Sequence, residues 1–124
     1  MQSMNARERT YLINSQIPQG KVLTYKTLAI LAGVTNSRLI GFFLHQNSYP
    51  KIPCYRVVNS LGKVAKTYAF GGANVQRKKL EKDGIVFVKD RLSLDKYLWK
   101  PDLQALQKIQ SLLKQDFKTF IKNL

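Results

Sequence analysis

The side chains able to do chemistry gather around one segment, Pro53-Cys54-Tyr55-Arg56-Val57-Val58. Cys54 is the only cysteine among 124 residues. It has no partner for an intramolecular disulfide and no second thiolate for a metal site. It is therefore either an inert buried thiol or a nucleophile. No second Cys offers a metal site, and no metal is expected. An ordinary thiol, with a pKa of about 8.5, is only a few per cent ionised at neutral pH. His45 is the only histidine, and it falls near the end of an expected helix.

Charge is the strongest bulk signal. Twenty-one Lys and Arg stand against seven Asp and Glu, a formal net charge of +14. A polyanion is the natural partner, nucleic acid first; the plainer alternative is a lysine-rich surface that keeps the chain in solution. At 44% hydrophobic the chain can bury one core. No run approaches the length of a membrane-crossing helix, and no membrane role is expected. Residues 1–7 lack an apolar signal-peptide core. With a single Cys this makes a reducing cytoplasm the expected home, or the nucleoid in a prokaryote.

Around Cys54 the elements read in order. A helix is expected over 4–15, stopped by Ile17-Pro18-Gln19-Gly20. Residues 21–23 are extended. Thr24 can cap a short helix over 25–32, with Gly33 as its C-terminal stop. Asn36 or Ser37 can cap a second over 38–46. The pair makes a helix-turn-helix pattern, with Arg38 at the start of the second helix, where groove contacts are made. Residues 47–53 form a Pro-containing loop. A hairpin is expected over 57–66, turning at 59–62, and a loop over 66–72. A basic helix follows over 74–82, then a small hairpin over 85–94 turning at Lys89-Asp90. Residues 101–124 carry apolar positions at steps of three and four and read as one long amphipathic helix. That helix packs on the domain or binds a partner.

The motifs Ile17-Pro18-x-Gly20-x-Val22-x-Thr24-Tyr25, Leu28-Ala29-x-x-Ala32-Gly33, Arg38-x-x-Gly41, Asn47 and Pro53-Cys54-x-Arg56-Val57-Val58 occur in that order, followed by Gly71-Gly72 and Asp83-Gly84. In this the chain resembles the O6-alkylguanine-DNA alkyltransferase family over roughly residues 4–94. The resemblance implies an α/β, mainly α, winged helix-turn-helix domain over 1–100 with small hairpins, and a helical extension over 101–124. It implies double-stranded DNA carrying alkylated guanine as the partner, entered through the minor groove. By this likeness Tyr25 crowds a phosphate and Arg38 replaces the extruded nucleotide in the stack, with Thr24, Gly41 and Arg56 also on the DNA side. Phe70, Gly71 and Val58 belong to the base pocket. Cys54 takes the alkyl group in one irreversible step that needs no cofactor, Asn47 shapes the loop leading to it, and Tyr55 and Asp83 form the proton network.

The chain also departs from the family. Tyr55 stands where the family motif has His, and Asp83 where it usually has Glu. A tyrosine, with a pKa near 10, is a poor base at pH 7 but still hydrogen-bonds. The alkyltransferase-like branch, which binds the lesion without reacting and hands it to other repair proteins, has Trp where this chain has Cys54. Leu39, Phe42 and Phe43 replace small residues of the second helix; they face the core or act as apolar wedges. Three functions follow from the sequence: alkyl transfer to Cys54, a non-enzymatic lesion sensor that recruits repair proteins, and a plain DNA-binding module with a relic cysteine.

Overall fold

The computed structural model describes residues 3–66 and 68–124. Met1 and Gln2 of the opening segment, and Thr67 of the expected 66–72 loop, lie outside the described residues. The first helix, α1, spans Ala6–Gln16. It begins at Asn5, whose side chain accepts from the Glu8 amide while the Glu8 carboxylate accepts from the Asn5 amide, a reciprocal capping box. Thr24 caps α2, Tyr25–Ala32, and Gly33 ends it in the left-handed conformation, at φ 68°. Asn36 caps α3, Ser37–His45. The chain bends by 97° between α2 and α3, within the range of a helix-turn-helix. Among the described residues no single helix is long and apolar enough to cross a membrane.

The strands differ from expectation. Val57–Val58 (β2) pairs with Leu23–Thr24 (β1), in parallel, Leu23 opposite Val57 and Thr24 opposite Val58. The turn over 59–62 does form, with Gly62 N donating to Asn59 O at 3.0 Å and Asn59 N to Lys63 O at 3.0 Å. Its return arm is taken elsewhere: the Ala65 amide donates to the Gln76 side chain at 2.8 Å. Gly62, at φ 77°, sits so close to the Leu92 carbonyl that a Cβ there would clash. The second expected hairpin shrinks to one antiparallel bridge, Val88 to Arg91. The sheet is thus two residues deep, and the molecule is mostly helical.

The basic helix, α4, runs Gly72–Lys82. A short helix that the sequence did not suggest, α5, spans Leu94–Tyr97 behind a Ser93 cap. The expected long C-terminal helix is two, α6 at Leu103–Leu113 and α7 at Phe117–Lys122. Asp116 breaks it by capping α7, its carboxylate accepting from the Thr119 amide at 2.8 Å. A side chain that competes for backbone donors ends one helix and starts the next.

The main core joins Leu12, Ile13, Leu28, Ile40, Ile52 and Val57, all at most 1% exposed. Burying each such side chain contributes roughly 1.5–3 kcal/mol. Ile109 and Phe120 belong to the same core. Phe117 meets the rings of Tyr11 and Tyr49 at 6.2 and 5.9 Å, so the C-terminal helices fold against α1 and the loop before Cys54. A second cluster, Val22, Val58, Leu80, Ile85, Leu92 and Tyr97, holds α4 against β2.

Candidate active site and nucleic-acid interface

Cys54 opens a single 3-10 turn, Cys54–Arg56. The turn is anchored from below by α1, where the buried Asn14 side chain donates to the Pro53 carbonyl at 2.9 Å. Cys54 itself is 5% exposed. Asn47, just past the end of α3, donates its amide to the Cys54 sulfur at 2.9 Å. Asn47 is itself fixed, its Oδ1 accepting from the Tyr49 amide at 2.9 Å and its Nδ2 donating to the Tyr49 carbonyl at 3.2 Å.

Cys54 lines a cavity of about 360 Å³. Tyr25 enters it from the first turn of α2; Ser37, Arg38, Gly41 and His45 line it from α3. Ala65, Tyr68 and Ala69 form the loop side, and Gln76 the α4 side. The parallel pairing explains this convergence, since β1 runs straight into α2 and β2 follows the cysteine turn. Gly41 faces open space, with nothing within 4 Å of a Cβ placed there. Thr24 is buried and acts as the α2 cap that orients Tyr25, its hydroxyl accepting from the Thr27 amide at 3.1 Å.

Burial pushes the Cys54 thiol up from its ordinary value near 9 to about 11. The Asn47 amide, the local backbone and the Lys79 charge pull the other way and are outweighed. Burial also raises the Tyr25 hydroxyl, with a further push from Cys54. In an apolar surround the neutral form of each acid is favoured.

Tyr55 and Asp83 do meet, the phenol donating to the Asp83 carboxylate at 3.2 Å. Arg56 occupies the same carboxylate, with Nε at 2.8 Å and a second nitrogen at 3.4 Å. The Arg56 fork also donates to the Ile17 carbonyl at 2.8 Å. Arg56 is thus an internal anchor between α1, the cysteine turn and the end of α4. Asp83 is held by a permanent cation, and the Asn47 donor that touches the sulfur takes up no proton.

Of the residues expected in the base pocket, Val58 is fully buried in the second core cluster. Phe70 turns onto the Tyr68 ring at 5.9 Å. Gly71 precedes α4 at φ 129°, where a Cβ would press on Val75. The walls come instead partly from Tyr68 and Gln76, which the sequence reading did not single out. Gln76 is 1% exposed; it donates to the carbonyls of Tyr55 and Val57 at 3.1 and 2.9 Å and accepts from Ala65. A glutamine inside a basic helix is the only mark either left in the sequence. On the outer face of α3, Phe42 is 58% and Leu39 42% exposed, while Phe43 packs on the main core.

Residues 5–85 match the family described as 6-O-methylguanine DNA methyltransferase, DNA binding domain. Alkyltransferase-like protein 1 of Schizosaccharomyces pombe is 32% identical over 93 residues, which cover 69% of this chain and 86% of that protein. A DNA base-flipping protein of Vibrio parahaemolyticus is 36% identical over 96 residues, covering 73% of this chain and 92% of that one. The crystal structure of S. pombe Atl1 in complex with damaged DNA containing O6-carboxymethylguanine superposes with a TM-score of 0.68 at 30% identity, covering 82% of this chain and 100% of that one. The fold, the placement of a cysteine beside Tyr25 and Arg38, and these matches agree: the chain belongs to the 6-O-methylguanine DNA methyltransferase DNA-binding domain family.

Proposed function

We propose that this protein extrudes O6-alkylguanine from duplex DNA into the cavity beside Cys54 and transfers the alkyl group to the sulfur once per molecule. The observation that carries this reading is the shared cavity, which Cys54 lines together with Tyr25, Arg38 and Gly41. Its volume of about 360 Å³ is that of a small-ligand pocket, suited to one extruded base. A base inside a duplex is out of reach, and unstacking it costs a few kcal/mol, least for a damaged base. Arg38 is exposed at the start of α3, where a planar cation can fill the gap. The net charge of +14 supplies sequence-independent attraction to the duplex.

In the transfer, the sulfur forms a bond to the alkyl carbon while that carbon's bond to guanine O6 breaks. The bonding pair leaves with guanine, and the proton lost by the thiol is balanced by one gained on the guanine ring. The resulting thioether has no easy return, so each molecule acts once.

A second reading, lesion binding without transfer, is favoured by the thiol itself. With its pKa pushed up to about 11, only about one thiol in ten thousand is ionised at pH 7. Arg56 and Tyr55 both engage Asp83. Intact-protein mass after incubation with a duplex carrying one O6-methylguanine separates the two. A gain of one methylene in the wild type, absent in Cys54→Ser, supports transfer. No gain up to about pH 9 with selective binding of the lesion supports the sensor, and no selectivity at all sinks both.

A further inference from the structure

Lys79, three residues along α4 from the cavity-lining Gln76, has no part in the reading above, yet it is held more tightly than a surface lysine. Its ammonium donates to the Tyr68 hydroxyl at 2.9 Å. It stands 5.3 Å from the centre of the Tyr68 ring and 5.7 Å from those of Tyr55 and Phe70. The Tyr68 hydroxyl and the rings of Tyr55 and Phe70 thus form an aromatic box around one half-buried ammonium and hold its charge in place. The box also belongs to the site. Tyr55 directly follows Cys54, and Tyr68 lines the cavity together with that cysteine. A charge fixed in a partly dehydrated setting acts more strongly on its neighbours than one waving in solvent.

We propose that Lys79 is a positioning residue for the reactive thiol: its boxed ammonium supplies the fixed positive charge that stabilises the Cys54 sulfur as it becomes anionic, where the chain has Tyr55 rather than an imidazole beside the cysteine. The proton leaves to water. The charge of Lys79 is among the influences that draw the Cys54 thiol down, after the Asn47 hydrogen bond and the backbone. The same box gives the site a reason for aromatic residues at 55, 68 and 70, which together fix the loop wall to α4. The inference deepens the transfer reading but is testable without DNA.

The test alkylates Cys54 of the full chain with iodoacetamide from pH 7 to 11 and follows the mass. The sulfur–carbon bond forms as the carbon–iodine bond breaks and iodide leaves, so the rate reports the thiolate fraction. Lys79→Met keeps the apolar stem and removes the charge; Lys79→Arg keeps the charge. Lys79→Met is expected to react roughly three- to tenfold more slowly than wild type between pH 8 and 9, with the profile displaced to higher pH, and Lys79→Arg to follow the wild type. A Lys79→Met rate equal to or above the wild type's overturns the proposal, as does a Lys79→Arg profile as slow as that of Lys79→Met. A partly unfolded variant would expose the thiol and speed the reaction, so lost structure cannot imitate the expected result. If Lys79 behaves as proposed but the O6-methylguanine duplex leaves Cys54 unmodified, the transfer reading fails while the role of Lys79 stands.

Discussion

The Asn47 side-chain amide donates to the Cys54 sulfur at 2.9 Å, across the junction between the end of α3 and the cysteine turn. An N–H donor favours the anionic sulfur, and burial opposes it; burial prevails, leaving the thiol near 11. Transfer is therefore expected to accelerate about tenfold per pH unit from neutrality until the thiol's own pKa is approached. Single-turnover mass spectrometry across that range checks it, with Asn47→Ala displaced to still higher pH. A flat profile would mean that the proton is removed by a group acting only in the complex.

The same thiol makes a prediction about stability. The unfolded thiol ionises near 9 and the folded one near 11. Below pH 9 both are neutral and the difference contributes nothing against the fold. As pH climbs from 9 to 11 the unfolded chain alone ionises, which favours unfolding by about 3 kcal/mol at most. Urea unfolding at pH 8 and pH 11 should show wild type losing more stability than Cys54→Ala by up to that amount.

Arg38 and Phe42 lie four residues apart on α3 and both face outward. Replacing Arg38 by Ala should abolish the preference for lesion over undamaged duplex, while a uniform loss on all DNA would make it a phosphate contact. Phe42, 58% exposed, is expected to insert as an apolar wedge beside Arg38. Phe42→Gly should then weaken duplex binding, roughly tenfold by fluorescence anisotropy, or about 1.4 kcal/mol. Tighter binding would show instead that the ring obstructs the groove.

Asp83 and Arg56 form a largely buried pair, with side chains 9% and 15% exposed. Asp83→Asn leaves the Arg56 cation facing a neutral amide and is expected to cost roughly 3 kcal/mol. Thermal unfolding measures this directly. If the pair served only catalysis, the melting temperature would stay put.

How far the sequence revealed this molecule depended on the range of each interaction. Thr24, Gly33 and Asn36 announced α2 and α3 because caps act within one turn of chain. Val57-Val58 announced a strand but not its partner, since the local turn at Asn59 suggested a hairpin and the actual pairing is with distant Leu23-Thr24. The apolar period over 101–124 ran on through Asp116, whose carboxylate nonetheless starts a new helix. At the site, Cys54, Tyr25, Arg38 and Asn47 were visible through their residue types and motifs. Tyr68, Gln76 and Lys79 were not, because nothing in their spacing relates α4 to the cysteine turn until both are folded onto β2.

The parallel pairing of Leu23 with Val57 also sets the order in which the chain acquires its chemistry. Helices α1 to α3 close through local contacts and can form early, but this bridge must bring together segments far apart in the chain, the kind of contact that slows folding. Until it forms, Cys54 is an ordinary exposed thiol, more easily ionised than in the finished fold and open to stray oxidants. Completion of the fold both builds the cavity and quiets the sulfur. The window of greatest chemical vulnerability thus falls before the protein is finished, and the native state keeps its one thiol in reserve.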